Sequence, residues 1–145
     1  MASRNNILVV EDDKLLSDLL LRKLGGGSYH VMHARTGEEA LELLKNEKPD
    51  VILLDILLPG VDGFEVLKQV KGSPLLKKIP VIVLSNLGQE SDLAKGKELG
   101  AKKFLIKATL TLDDVVRVIE SELSAKPEEE PASATPQAGA PADSA

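Results

Sequence analysis

The stretch VILLDILLPGVDG, residues 51–63, decides the fold and poses one chemical problem. Residues 51–54 and Ile56 are apolar, and a single carboxylate, Asp55, lies among them. A continuous apolar run of this kind is typical of a strand covered on both faces, as in a parallel sheet. A buried carboxylate is costly unless it is paired or bound to a metal. We therefore expect Asp55 at the mouth of a strand, beside cations.

The chain alternates between short apolar runs and amphipathic segments. Four further runs read as strands, at 6–10, 29–34, 81–85 and 103–106, and the second of these alternates more and resembles an edge strand. Helical patterns occupy 14–24, 37–47, 63–71, 90–100 and 111–123, and Thr36 and Thr111 are placed to cap two of them. This order predicts a doubly wound α/β domain, with a parallel sheet, right-handed crossovers and helices on both faces.

Composition excludes several classes of function. The chain has 145 residues, a net charge of -5 and no cysteine. It therefore lacks the basic surface of a nucleic-acid binder, a disulfide framework and thiolate ligands. No signal peptide or membrane span is evident, so we expect a cytoplasmic protein that does not contact membrane. One domain is expected over residues 1–125, followed by a disordered Pro/Ala/Glu-rich tail over 126–145.

Chemically active side chains follow the predicted strands. Glu11, Asp12 and Asp13 follow the first strand, Asp55 ends the third, Ser85 ends the fourth and Lys107 follows the fifth. The carboxyl ends of parallel strands meet at one edge of the sheet, where sites of this fold class lie. Clustered carboxylates need a cation, and oxygen ligands without His or Cys favour Mg²⁺.

Such a group of residues is suited to phosphoryl transfer. Magnesium held by carboxylates completes its shell with water and phosphate oxygens, while Lys107 and Ser85 supply a positive charge and a hydroxyl donor. Asp55 is the acid of the middle strand, and a carboxylate can form an acyl phosphate. The turn-rich loop that follows is expected to leave the backbone carbonyl of Leu57 facing the metal.

Four motifs resemble the receiver domain of two-component response regulators, of the single-domain type similar to the chemotaxis regulator. They are ILVVEDD (7–13), DILLPGVDGFEVL (55–67), PVIVLS (80–85) and ELGAKKFLIK (98–107), and the resemblance covers about residues 6–123. It implies a flavodoxin-like sheet of strand order 2-1-3-4-5. It also implies a phosphoprotein that acts in two-component signal transduction or a phosphorelay and is not an enzyme beyond slow self-dephosphorylation.

The resemblance assigns roles to individual residues. Asp55 is the phosphoacceptor, Asp12 the direct Mg²⁺ ligand, and Glu11 a ligand through water, with the Leu57 carbonyl completing the metal set. Ser85 and Lys107 contact the phosphoryl group, and Phe104 is the aromatic switch, although plain core packing is a nearly equal alternative for it. Asp13 is read as a helix N-terminal charge instead of a ligand.

The implied partners are a sensor histidine kinase or phosphotransfer protein and a downstream effector. The effector is expected to bind the face made by the fourth helix, the fifth strand and the fifth helix, with the protein a monomer or a phosphorylation-dependent dimer. Residues 126–145 are too few and too polar to form an output domain, and no DNA-binding element is expected. A pseudo-receiver that binds partners without phosphorylation is the alternative. A hydrolase is disfavoured because Leu57 stands where a second acid is needed.

Two positions depart from the family pattern. Ala108 follows Lys107 where the family usually has proline, so we expect a trans Lys107–Ala108 bond or a strained cis bond. Asn86 follows Ser85 where a small residue is common, and its bulk is expected to slow water attack on the acyl phosphate.

Overall fold

A computed structural model describes residues 5–25, 29–56, 58, 60–85 and 90–124. Leu57, Asn86 and residues 125–145 therefore lie outside the described residues. The strands are β1 (Asn5–Val10), β2 (Tyr29–Ala34), β3 (Val51–Asp55), β4 (Val81–Ser85) and β5 (Lys103–Ile106). The helices are α1 (Lys14–Gly25), α2 (Gly37–Leu43), α3 (Gly63–Lys71), α4 (Glu90–Glu98) and α5 (Leu112–Ser124), with a 3₁₀ turn at Lys107–Thr109.

The five strands form one parallel sheet in the order β2-β1-β3-β4-β5. The predicted doubly wound fold and strand order are confirmed, and β2 lies at an edge as its alternating pattern indicated. Asp55 pairs with Leu84, and Ser85 pairs with Ile106. This register brings the carboxyl ends of β3, β4 and β5 level with one another.

Both faces of the sheet are buried because successive strand residues point to opposite sides. Leu8 and Leu54 belong to one core, which α2 and α3 cover. Val9 and Leu53 belong to the other, which α1 and α5 cover. Every residue of β3 is buried, so the central strand must be apolar throughout except at its end.

Local signals set the helix ends. Thr36 Oγ1 accepts a hydrogen bond from Glu39 N–H at 3.1 Å, and Thr111 Oγ1 accepts one from Asp114 N–H at 3.1 Å, so both predicted caps are confirmed. The predicted extent of α2, 37–47, is wrong, since the helix ends at Leu43. The following residues 45–48 are exposed and polar, and Pro49 disfavours helix before it, so nothing holds further turns in place.

The helices of the described ranges offer no membrane span, because none combines sufficient length with sufficient apolar character.

Candidate functional site

Three polar side chains are buried at the carboxyl edge of the sheet. Glu11 is 1% exposed, Asp55 4% and Ser85 2%. Each stands at or just beyond the end of a strand, where the chain leaves the core. Glu11 is held there because its N–H donates to the Ala34 carbonyl at 3.0 Å, which extends the pairing of β1 with β2 by one residue.

The ammonium of Lys107 lies between the two buried carboxylates. Its Nζ donates to Asp55 Oδ2 at 3.1 Å and to Glu11 Oε2 at 3.2 Å, and lies 3.0 Å from Glu11 Oε1. The side chain of Lys107 is 15% exposed, so these contacts are shielded from solvent. Lys107 is 96 positions from Glu11 and 52 positions from Asp55 in the chain, yet the three side chains form one compact charged cluster.

The cluster changes the proton affinity of its members. Burial first, and then the hydrogen bond and charge of Asp55, raise the pKa of Glu11 from its ordinary 4.5 to about 7, although the N–H of Asp13 and the charge of Lys107 both lower it. Burial by itself lowers the pKa of Lys107, but the charges of Asp55 and Glu11 outweigh it and raise the pKa above its ordinary value. Lys107 is therefore a permanent cation at physiological pH, whereas Glu11 titrates near neutrality.

Not every predicted site residue joins this cluster. Asp12 is exposed, and in the part of the chain that the structure describes no three His, Asp or Glu side chains are grouped closely enough to hold a metal. The Leu57 carbonyl falls outside the described residues. Asp13 Oδ1 accepts from Leu16 N–H at 3.1 Å at the start of α1, in agreement with its predicted helix-terminal role.

The donor set can nevertheless be compared with what Mg²⁺ requires. Two buried carboxylates share one ammonium, so the site carries an excess negative charge in a shielded position. Glu11 Oε1 is buried and accepts no hydrogen bond of good geometry from the described residues, although Lys107 Nζ is close. Magnesium is typically bound in proteins by one or two carboxylates plus water and phosphate oxygens. The residues present therefore fit a hard divalent cation.

Close backbone packing fixes the loop after Asp55. Gly63 N–H donates to the Ile56 carbonyl at 3.0 Å, and a Cβ on Gly63 would collide with the Asp55 carbonyl. Gly60 has a φ of 73°, which favours glycine. Two of the turn signals in LLPGVDG are therefore steric requirements that place the start of α3 against the end of β3.

Phe104 on β5 is half-buried and packs against α4. A Cβ on Gly96 would lie 2.9 Å from Phe104 Cδ2, so the ring occupies a slot that exists because residue 96 is glycine. Phe64 lines the same region, and Lys95 Nζ lies 4.6 Å from the centre of its ring. Core packing and a switching ring are both compatible with this position.

One contact was absent from the predicted site. His33 Nε2 lies 3.0 Å from the backbone carbonyl of Glu11, which can only accept, so this nitrogen donates. The register Val9–His33 places the ring there, and histidine in an edge strand gives no sequence signal for such a contact. The described peptide bonds, Lys107–Ala108 among them, are all trans, as the absence of proline at 108 favoured.

Known response regulators are similar to this chain, among them the following two. The response regulator PleD of Caulobacter vibrioides is 40% identical over 110 residues, which cover 76% of this chain and 24% of PleD. The alkaline phosphatase synthesis transcriptional regulatory protein PhoP of Bacillus subtilis is 42% identical over 101 residues, covering 70% of this chain and 41% of PhoP. The chain thus matches about a quarter and two fifths of the lengths of these relatives.

A similar solved structure is that of the Mn²⁺-bound form of the response regulator Rcp1. It is 35% identical, has a TM-score of 0.73, and the match covers 81% of this chain and 92% of that one. The family model for the response regulator receiver domain matches residues 7–120, from the third residue of β1 through most of α5. By fold, by the order of its motifs and by this match, the chain belongs to the family of response regulator receiver domains.

Proposed function

We propose that Asp55 accepts a phosphoryl group from a sensor histidine kinase or a phosphotransfer protein, and that the modified chain signals by binding a partner protein. Receiver domains act in general as phosphoacceptor switches and not as catalytic enzymes. One observation carries the proposal for this chain. A buried ammonium, Lys107 Nζ, bridges the carboxylates of Glu11 and Asp55 at the edge of the sheet where substrates of α/β folds bind.

The residues supply positioning and charge. An Asp55 carboxylate oxygen attacks phosphorus in line, the bond from phosphorus to the donor nitrogen breaks, and the donor imidazole keeps the released electron pair and takes up a proton. Lys107 offsets the negative charge on the transferred oxygens, and the Ser85 hydroxyl donates a hydrogen bond to the product. The buried strand ends hold these groups in place before the donor arrives.

Magnesium would be held by Glu11 and Asp55, with Asp12 and the Leu57 carbonyl as the further ligands that the sequence predicts. When bound, it neutralises charge on the carboxylates and on the phosphoryl oxygens. The Mn²⁺-bound form of Rcp1 supports a divalent ion as the cofactor of this site. Glu11 stays close to Lys107, and the carboxylates of Glu11 and Asp55 remain shielded from bulk solvent.

The modification is read out by movement at neighbouring strand ends. Phosphorylation replaces the single negative charge of the Asp55 carboxylate with a phosphoryl group that carries up to two negative charges and three acceptor oxygens. Ser85 turns toward the phosphoryl group and Phe104 moves within its slot beside Gly96, which alters the face made by α4, β5 and α5. A cytoplasmic location and a downstream effector protein go with this proposal.

Intact-mass measurement after incubation with acetyl phosphate and Mg²⁺ tests the proposal. We expect the wild-type protein and Asp18→Asn, which changes an exposed acid on α1, to gain the mass of one phosphoryl group. Asp55→Asn should gain none, and chelation of Mg²⁺ should abolish the gain in every variant. An equal gain by Asp55→Asn and the wild type would contradict the proposal.

A further inference from the structure

Charge is unevenly distributed along this chain. Residues 68–107 contain nine lysines and three acidic residues, although the whole chain has a net charge of -5. Half of the 18 basic residues thus lie in these 40 positions, which run from α3 to the residue after β5. The remaining 105 positions carry nine basic and 20 acidic residues.

Five of these lysines lie around the loops that precede β4 and β5. Lys71 Nζ donates to the Lys77 carbonyl at 3.0 Å and to the Ile79 carbonyl at 2.9 Å, while Lys102 N–H donates to the Val81 carbonyl at 2.8 Å. These bonds join the end of α3 to the starts of β4 and β5. We call Lys71, Lys77, Lys78, Lys102 and Lys103 the basic corner, and it lies at the edge of the sheet opposite Asp55.

The basic corner lacks matching acids within the described ranges. Lys102 has one acidic neighbour there, with Nζ 3.6 Å from Glu122 Oε1, and no ion pair involves its other four lysines. Lys77, Lys78 and Lys103 are exposed. Burial lowers the pKa of Lys71, and the charge of Lys102 lowers it further. Lys71 and Lys102 are therefore near enough to repel each other. The corner therefore favours an anionic occupant.

The acidic end of the same chain starts beside this corner. Glu122, the neighbour of Lys102, belongs to the last turn of α5, which ends at Ser124. Glu128, Glu129 and Glu130 follow four to six residues later. Four extended residues span about 14 Å. Because Lys102 already lies beside Glu122 in the last turn of α5, these carboxylates begin within reach of the basic corner.

We propose that the Glu128–Glu130 segment docks on the basic corner of its own molecule. Surface ion pairs are individually weak, but a short covalent connection gives the segment a high effective concentration at the corner. An external polyanion is a poorer candidate, because it meets the net negative charge of the chain and has no such connection. Docking of the segment and phosphorylation of Asp55 concern opposite edges of the sheet, so either can fail without the other.

Paramagnetic relaxation in the full chain tests the docking. The chain has no cysteine, so Ala132→Cys gives a single attachment point for a nitroxide label. In ¹⁵N-labelled protein at low salt, without acetyl phosphate, we expect amide broadening concentrated at residues 77–78 and 102–103. It should be lost at about 1 M NaCl, where the screening length falls to about 3 Å.

Charge variants separate docking from random contact. The triple variant Glu128→Gln, Glu129→Gln, Glu130→Gln and the double variant Lys77→Gln, Lys78→Gln should each reduce the broadening at residues 102–103 at least threefold. The matched double variant Lys45→Gln, Lys48→Gln, at the end of α2, should leave it unchanged. Even broadening over the whole surface would overturn the proposal, as would broadening that does not respond to the Gln variants.

A mixed sample identifies the molecule that supplies the segment. ¹⁵N-labelled protein without a nitroxide is combined with spin-labelled protein at natural isotope abundance. Any broadening of the observed amides then comes from a second copy of the chain. We expect none at the basic corner. Broadening in this sample equal to that within one molecule would overturn docking in the same chain and assign the segment to an intermolecular contact.

Discussion

At the scale of single residues, the burial and the charge of Glu11 are in energetic conflict. It is nearly fully buried, lies next to another carboxylate and shares one ammonium with it. Its pKa is raised from 4.5 to about 7, first by burial and then by Asp55. In the metal-free protein, this residue therefore opposes folding at neutral pH.

The raised pKa predicts a specific pH dependence of stability. Below pH 4.5 Glu11 is protonated in both the folded and unfolded chains. Between pH 4.5 and about 7 the unfolded chain loses the proton and the folded chain keeps it, so the free energy of unfolding falls, by up to about 3 kcal/mol. Above about pH 7 the loss is constant.

Urea unfolding at pH 5 and pH 7.5 in the presence of a chelator measures this effect. Glu11→Gln should be relatively more stable than the wild type at pH 7.5 than at pH 5, because it carries no charge at either pH. The exposed acid Glu47→Gln serves as the control and should follow the wild type. If the free energies of unfolding of the wild type and Glu11→Gln changed equally between pH 5 and pH 7.5, the raised pKa of Glu11 would be refuted.

Lys107 offers a second test at this scale. Removing its ammonium leaves the buried carboxylates of Glu11 and Asp55 without this cation. In the proposed transfer, it also takes away a donor to the incoming phosphoryl group. We expect Lys107→Gln to slow phosphorylation by acetyl phosphate by about 10- to 100-fold, the effect of one charge-assisted hydrogen bond. Lys103→Gln, which changes an exposed lysine at the start of β5, should react at the wild-type rate. Equal rates for both variants would show that Lys107 does not assist the transfer.

At the scale of elements, the contact between α4 and β5 depends on the absence of one methyl group. A Cβ at Gly96 would lie 2.9 Å from Phe104 Cδ2 and 3.0 Å from Cε2, closer than real Cβ contacts. Gly96→Ala should therefore push the ring or the helix aside and lower the free energy of unfolding by about 1–3 kcal/mol.

A double-mutant cycle attributes that cost to the ring. Gly96→Ala should become nearly neutral in a Phe104→Leu background, because the shorter side chain leaves room. Gly25→Ala at the end of α1 is the matched control, since an added Cβ there meets nothing within 4 Å. A Gly96→Ala cost that persists unchanged in the Phe104→Leu background would exclude the ring as its cause.

Some bounds of helices and strands could be predicted from the sequence, and others could not. Strand β3 was predictable because Val51–Leu54 must be buried on both faces, and Thr36 and Thr111 mark helix starts through single hydrogen bonds. The end of α2 was not, since Lys45–Lys48 has good helix formers whose exposure is decided by tertiary packing. The sequence also does not show which of the adjacent acids Glu11 and Asp12 is buried. Glu11 turns inward because its backbone N–H is bonded to β2.

At the scale of the whole molecule, two apolar layers on one sheet place the charged groups. The order of strands could be expected from alternation and resemblance, and it accounts for most of the site, because Glu11, Asp55, Ser85 and Lys107 follow from strand ends alone. The contact of His33 with the Glu11 carbonyl could not be predicted, because it depends on the register between β1 and the edge strand β2.

The layered core predicts where substitutions are costly. Leu53, 1% exposed in β3, is part of the core beneath α1 and α5. Leu53→Ala should lower the free energy of unfolding by about 2–5 kcal/mol, through lost burial and the cavity left behind. Leu75→Ala is the control, because Leu75 is 74% exposed and should change stability by less than about 0.5 kcal/mol. Similar losses for both variants in urea unfolding would contradict the layered core.

The central claim is that Glu11, just after β1, and Asp55, at the end of β3, converge with Lys107 so that Asp55, and no other acid, becomes phosphorylated. Chemical mapping tests it most directly: the protein is treated with acetyl phosphate and Mg²⁺, reduced with borohydride, which converts an aspartyl phosphate to homoserine, and digested for peptide sequencing by mass spectrometry. We predict homoserine at position 55 and at no other aspartate. Homoserine at Asp12, Asp13 or Asp62 instead, or phosphorylated protein with aspartate intact at 55, would contradict it.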